Sequence, residues 1–194
     1  WNELYEKVCK FSSYLKKLNL QKGDRVAAYV PNKIETIICF LACAKNGIIW
    51  SSCSPDFGAQ GVVDRFKQIE PKVLITCDYY YYNGKKINIL DKVDQILKEI
   101  SSIKNVIAYN YNKKEKEDLK NFINFEETLN SNLNENFERF EFDHPIYILF
   151  SSGTTGKPKC ITHGTGNVLI EHNKEFMLHC DIRDKEKLFH YTTT

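Results

Sequence analysis

The sequence predicts an α/β fold: a mostly parallel sheet with helices on both faces. Three observations predict it. Short apolar runs rich in Val, Ile and Leu recur along the first 109 residues. Segments of helical periodicity separate them, and Gly, Pro and Asn punctuate the junctions. Strand and helix taking turns in this way favour parallel pairing, because each crossover lays a helix on the sheet.

The elements follow in order. Leu4, Val8, Phe11, Leu15 and Leu18 recur at steps of four, three, four and three, one stripe of an amphipathic helix. Lys22-Gly23-Asp24 breaks it, and residues 25–30 read as a buried strand. Pro31-Asn32 turns the chain into a helix over 34–45 that is apolar nearly all round, with Asn46-Gly47 as its stop. A strand at 48–50 and a turn at 54–58 precede a helix over 59–69, which ends before Pro71 because the residue ahead of a proline avoids helical angles. Residues 72–77 form the next strand, and Tyr79 to Tyr82 with Asn83-Gly84 read as a loop. A helix over 89–100 and a strand at 106–109 complete the alternation. Residues 110–142 turn Asn-, Lys- and Glu-rich and read as a surface excursion anchored by Phe122, Phe125 and Phe137. Order returns with a strand at 146–150. The expected organisation is an α/β subdomain over 1–109, a surface connection over 110–142, and an incomplete unit over 143–194.

Composition narrows the function classes. The 194 residues are 42% hydrophobic and 27% charged, with a net charge of +2, so no basic face points to a nucleic-acid partner. No apolar stretch approaches the ~20 residues that span a bilayer. Nothing at the N-terminus reads as a secretory signal, although the chain opens on Trp1 and leaves a leader open. Seven cysteines, an odd number at irregular spacings, read as small buried hydrophobes in a reducing compartment, with the cytoplasm as the expected address. Cys39 and Cys43 share a helix face, yet no Cys or His pair completes a metal set.

The chemistry concentrates at Ser151, Ser152, Gly153, Thr154, Thr155, Gly156, Lys157, Pro158 and Lys159. Glycines let backbone N–H groups reach an anion, hydroxyls add rotatable donors, and Lys157 and Lys159 add positive charge. Taken alone, Gly-Thr-Thr-Gly also describes a flexible surface turn. Its position directly after a strand places it at the sheet edge where open α/β folds bind ligands. The Walker pattern fails, since only two residues separate the glycines and Pro158 follows Lys157. A returning strand at 159–162 makes the loop the tip of a hairpin.

These nine residues resemble the signature loop of the adenylate-forming superfamily, which includes acyl-CoA synthetases. The resemblance implies ATP as co-substrate, Mg2+ on its phosphates, and Ser151 to Lys157 with Lys159 around the phosphates. The implied reaction makes an acyl-adenylate and pyrophosphate, then an acyl-CoA and AMP. Residues 50–58, 63–73, 82–85, 161–164 and 191–194 are similar to the acetoacetyl-CoA synthetase branch, which implies a short carboxylic acid, acetoacetate by preference. Acetyl- and propionyl-CoA synthetases share the architecture. In the acetyl-CoA relatives an Arg-x-x-Arg stretch near coenzyme A matches Tyr82 and Lys85 here, so Tyr82, Lys85 and Lys86 are candidate coenzyme A contacts with reduced charge.

His163 is a candidate donor to a phosphate or to the acid, or else a structural histidine. Glu171 and His172 fall on the helix after the loop, Arg65 is a candidate ion-pair partner, and Trp50 a packing residue. No Gly-x-Ser-x-Gly elbow occurs. The family's late motifs, including its catalytic lysine, lie beyond residue 194, so the chain is expected to be part of a longer enzyme, inactive alone, with the rest of the parent chain as its partner. A noncatalytic nucleotide- or protein-binding module, and an enzyme that loads a carrier protein, remain alternatives.

Overall fold

Helix α1 (Asn2–Lys17) buries Val8, Phe11 and Leu15 along the stripe its spacing predicts. Ser12 lies on the same buried face. Its hydroxyl donates to Asn46 Oδ1 at 2.8 Å, and Asn46 Nδ2 donates to the Ser12 carbonyl at 2.8 Å. Asn46 is the C-cap of α2 (Ile34–Lys45), so this reciprocal pair joins two helices without leaving an orphaned polar group. A computed structural model describes residues 1–115, 118, 119, 122–151, 156–190 and 192.

Strand β1 (Arg25–Tyr29) is the centre of the sheet. It pairs in parallel with β2 (Ile49–Cys53) on one side and β3 (Val73–Cys77) on the other, with Ala27 opposite both Ser51 and Leu74. Helix α2 carries the chain from β1 to β2. Helix α3 (Ala59–Ile69) brings it back past β1 to β3, and α4 (Leu90–Glu99) continues to β6 (Asn105–Tyr109). Right-handed crossovers taken in opposite directions place helices on opposite faces. Accordingly α1 packs on α2 in one layer, and α3 on α4 in the other. Every residue of β3 is buried, as a strand covered on both sides requires.

Two expectations need correction. Residues 79–84, expected as a loop, belong to an antiparallel hairpin, β4 (Tyr79–Tyr82) and β5 (Lys85–Asn88), with Tyr82 opposite Lys85. Asn83 and Gly84 form its two-residue turn at φ 47° and 75°, the left-handed pair that such a tight turn demands. Four identical residues conceal the two-residue period that would have announced a strand. The 110–142 stretch also contributes structure of its own. Strand β7 (Ile123–Asn124) extends the sheet beyond β6, and α5 (Phe125–Thr128) follows it. Phe125 is a true anchor, buried with its ring centroid 5.4 Å from Phe11 and 6.2 Å from Tyr109. Phe137 stays mostly exposed, stacked 6.1 Å from Tyr5 with Lys45 Nζ 4.8 Å from its ring centroid.

The sheet ends in β8 (Pro145–Phe150), parallel to β2, and β9 (Cys160–Gly164), antiparallel to β8. The full order is β7–β6–β3–β1–β2–β8–β9. Helix α6 (Thr165–Lys174) and a π-helical turn (Glu175–His179) follow. No helix of the described residues is long and apolar enough to cross a membrane.

Candidate functional site

Strand order reverses around β1, since the chain goes first to β2 on one side and then to β3 on the other. The crevice at such a reversal, beyond the strands' C-terminal ends, is where open α/β sheets take ligands. Register sets what gathers there. Tyr29 is level with Cys53, and Trp50 with Tyr147, so extending the ladders brings Val30, Ser54 and Ser151 to one row. Neighbouring strands lie about 4.8 Å apart. The loop after β8 and the crevice after β1 and β2 are therefore neighbours on one edge.

The β8–β9 connection is the hairpin that the sequence predicts. Ser152, Gly153, Thr154 and Thr155 lie outside the described residues. Around them the base of the loop is held. Ser151 N donates to the Lys159 carbonyl at 3.0 Å, and Lys159 N donates to Ser151 Oγ at 3.3 Å. From α3, Gln68 Nε2 donates to the Pro158 carbonyl at 2.9 Å and to its own helix at Asp64 O, 2.7 Å. Cys160 Sγ lies 3.7 Å from Gln68 Oε1. Gly156, Lys157 and Lys159 are exposed, and neither lysine ammonium is paired among the described residues. A pinned backbone with free cationic side chains suits an anionic ligand, because the charge is not already neutralised by a carboxylate.

The β4–β5 hairpin divides the candidate coenzyme A contacts. Tyr80, Tyr82, Lys85 and Ile87 share one face; Tyr79, Tyr81 and Lys86 share the other. Lys86 Nζ sits 3.9 Å from the Tyr79 ring centroid and 3.9 Å from Glu115 Oε2, so it is turned away from Tyr82 and Lys85. Beside the hairpin lies a cavity of about 440 Å³, walled by Pro31, Asn32, Pro55 and Asp56, by Tyr80, Tyr81 and Tyr82, and by Phe189 and His190. Burial, followed by a hydrogen bond to the Asp56 carboxylate, pushes the Tyr80 phenol up to about 12, so it remains a neutral donor. Asp56 did not stand out in the sequence; the serine-proline-aspartate turn after a strand was the available signal.

His163 sits on β9. It lies three residues along β9 from Cys160, roughly 10 Å at strand rise, with its ring 4.9 Å from Tyr147. Glu171 pairs with Lys174 at 2.7 Å, which holds its carboxyl below the usual range, and His172 packs 6.1 Å from Phe176. Both sit on the exposed surface of α6. The Arg65 guanidinium lies 4.4 Å from the Phe57 ring centroid and donates to Gly61 O, with no ion pair among the described residues. Trp50 is buried against Phe40 at 6.1 Å. Among the described residues no group of three or more His, Cys, Asp or Glu side chains is arranged to hold a metal.

Comparison with known proteins identifies the family and the fold. A family model described as AMP-binding enzyme matches residues 1–192. All of the chain aligns, at 45% identity, with an acetoacetyl-coenzyme A synthetase of Rhizobium meliloti (strain 1021), of which it covers 30%. Identity is 40% to an acetoacetyl-CoA synthetase of Macaca fascicularis, again over 100% of this chain and 30% of the relative. It is 39% to a malonamoyl-CoA synthetase of Penicillium aethiopicum, over 100% of this chain and 28% of that protein. The solved acetoacetyl-CoA synthetase from Streptomyces lividans superposes with a TM-score of 0.94 at 39% identity, covering 100% of this chain and 30% of that one. The chain thus spans about 30% of the length of these relatives.

Proposed function

Because the chain belongs to the AMP-binding enzyme family, we propose that it supplies the phosphate-gripping part of an ATP-dependent acid–CoA ligase. The observation that carries this reading is the β8–β9 hairpin. Its base is pinned by Ser151 and Gln68, its lysines are unpaired among the described residues, and it stands at the edge beside the β1 reversal. Ser151 to Gly156 supply amides and hydroxyls to the triphosphate of ATP, and Lys157 and Lys159 supply charge.

The first step joins a carboxylate oxygen of the acid to the α-phosphorus, while the bond from that phosphorus to pyrophosphate breaks. Negative charge grows on the departing pyrophosphate, so fixed donors and cations beside it lower the barrier. In the second step the coenzyme A sulfur attacks the acyl carbon and AMP leaves. Mg2+ is implied by the family; bound with the nucleotide that the loop residues would hold, it would help neutralise the charge on the phosphates. Tyr82 and Lys85, on one hairpin face beside the cavity, are the proposed coenzyme A contacts, with Lys86 turned to the opposite face.

The relatives' names narrow the acid. Acetoacetate and malonamate are the same size, and each carries a carbonyl two carbons from its carboxylate. The proposed substrate is a short acid of that pattern, acetoacetate first. Five buried free thiols suit a reducing compartment, and the proposed location is the cytoplasm. Acid-dependent exchange of labelled pyrophosphate into ATP by the intact parent chain tests the reading. Exchange is expected with acetoacetate and malonamate and to be weaker with acetate. No exchange with any carboxylic acid would favour the noncatalytic alternative. Residues 1–194 alone are expected to form no acyl-CoA.

A further inference from the structure

We infer that Gln68 is a positioning residue for Lys159, acting across 91 positions of sequence from helix α3. The inference rests on the reading that the β8–β9 loop holds the triphosphate of ATP. Lys159 is the last residue of that loop and opens the returning strand. Its side chain is exposed and unpaired among the described residues, so a long, flexible cation would sweep a wide volume if its backbone also moved. The backbone is held from two directions. Ser151 engages the Lys159 carbonyl and N–H at 3.0 and 3.3 Å, from the strand before the loop. Gln68 engages the residues on either side of Lys159: it donates to the Pro158 carbonyl at 2.9 Å and lies 3.7 Å from the Cys160 thiol.

Gln68 is exposed, and the geometry of its carboxamide makes it a bracket. Its carboxamide donates to Asp64 O as well as to Pro158 O, so the side chain is fixed to α3 while it fixes the loop. Helix α3 is in turn seated on the core through Val62, Phe66 and Ile69. The loop's exit is thereby referenced to the rigid sheet. Pro158 sharpens the role, since it has no N–H of its own and its carbonyl is its one backbone anchor. Gln68 touches neither ATP nor the acid; its effect passes through Lys159.

Steady-state pyrophosphate exchange in the intact parent chain tests this with Gln68→Leu, Gln68→Glu, Lys159→Ala and the Gln68→Leu/Lys159→Ala double variant. Loss of one such hydrogen bond predicts about a three- to tenfold rise in the KM for ATP in Gln68→Leu. The KM for the acid and the melting temperature are expected to hold. Gln68→Glu keeps the shape and the acceptor for Cys160 but sets a carboxylate against the Pro158 carbonyl, so it should be no better than Leu. In the double variant the Gln68 change should add nothing to the loss from Lys159→Ala, because both act through one group. An equal further loss in the double variant would mean a structural role unrelated to Lys159. A wild-type KM for ATP in Gln68→Leu, with Lys159→Ala crippled, would overturn the inference and leave the loop reading standing. Full activity in Lys159→Ala would overturn both.

Discussion

The two halves of the sheet are built from similar strands and end in different states. Around β1 and β3, helices cover both faces, and Val26, Ala27, Val73 and Leu74 have no exposed surface. Strand β8 is as apolar, yet its Leu149 is 45% exposed, and Ile161 on β9 is 46% exposed. On α6, Leu169 and Ile170 are exposed as well. The difference teaches that an apolar strand signals pairing, while burial depends on what lies over the strand. The covered half holds the core, and the half that carries the loop has apolar surface open in this chain, which spans about 30% of its relatives' length.

The largest expected effect tests that division directly. Phe66 is fully buried between α3 and the sheet, so Phe66→Ala should cost about 3–5 kcal/mol of stability by urea denaturation. Ile161→Ala removes a half-exposed side chain and should cost less than about 1 kcal/mol in residues 1–194. Comparable losses would break the contrast. A much larger cost for Ile161→Ala in the longer parent would sharpen it, by showing that this face is covered there.

Glycines give a second, smaller contrast. Gly47 follows the C-cap of α2 at φ 64°, and an added Cβ would come within 2.5 Å of the Phe140 ring. Phe140 is itself held, stacked 4.9 Å from His144, whose Nε2 lies 2.9 Å from the Gly47 carbonyl. Gly84 has a similar φ of 75° but open space around it. Gly84→Ala should therefore cost only the left-handed penalty, about 1 kcal/mol, and Gly47→Ala about 1–3 kcal/mol more. Equal melting-temperature shifts for the two variants would show that Phe140 yields freely.

Much of this was legible beforehand because it is local. The stripe through Leu4, Val8, Phe11 and Leu15, the stop at Asn46-Gly47 and the end of α3 before Pro71 each rest on a few consecutive residues, and the structure has them at those places. The loop's residue types were equally plain, and so was its hairpin setting. The β4–β5 hairpin was misread because four tyrosines conceal which ones face inward; only Tyr79 and Tyr80 are buried. Phe125 and Phe137 looked alike in sequence, and their separation into a core ring and a surface ring depends on α1 and β6 arriving from far away. Gln68 was invisible for the same reason: its loop partners, Pro158 and Cys160, stand 90 and 92 positions away, and nothing in the neighbouring residues marks a side chain whose role is long-range.

The smallest effect concerns thiols, and it divides along the same line. Cys9, Cys39, Cys43, Cys53 and Cys77 are buried in the covered half, whereas Cys160 beside the loop and Cys180 are exposed. Burial pushes Cys53 up to about 12 and Cys39 and Cys77 well above the ordinary thiol range; partial burial raises Cys160. Because the thiolate is the nucleophile, iodoacetamide at pH 8 should label Cys160 and Cys180 alone, and the Cys160 rate should climb as pH rises. The buried groups also set a sign for stability. A folded value above the unfolded one gives stabilisation that is complete below the unfolded value, about 8.5 for a thiol, and is lost as pH rises beyond it. The urea midpoint should thus stay level from pH 6 to 8 and fall above about 9, with mass spectrometry showing the five buried thiols labelled only once that fall begins. Early labelling of Cys53 at pH 8 would mean that the covered half opens as readily as the loop.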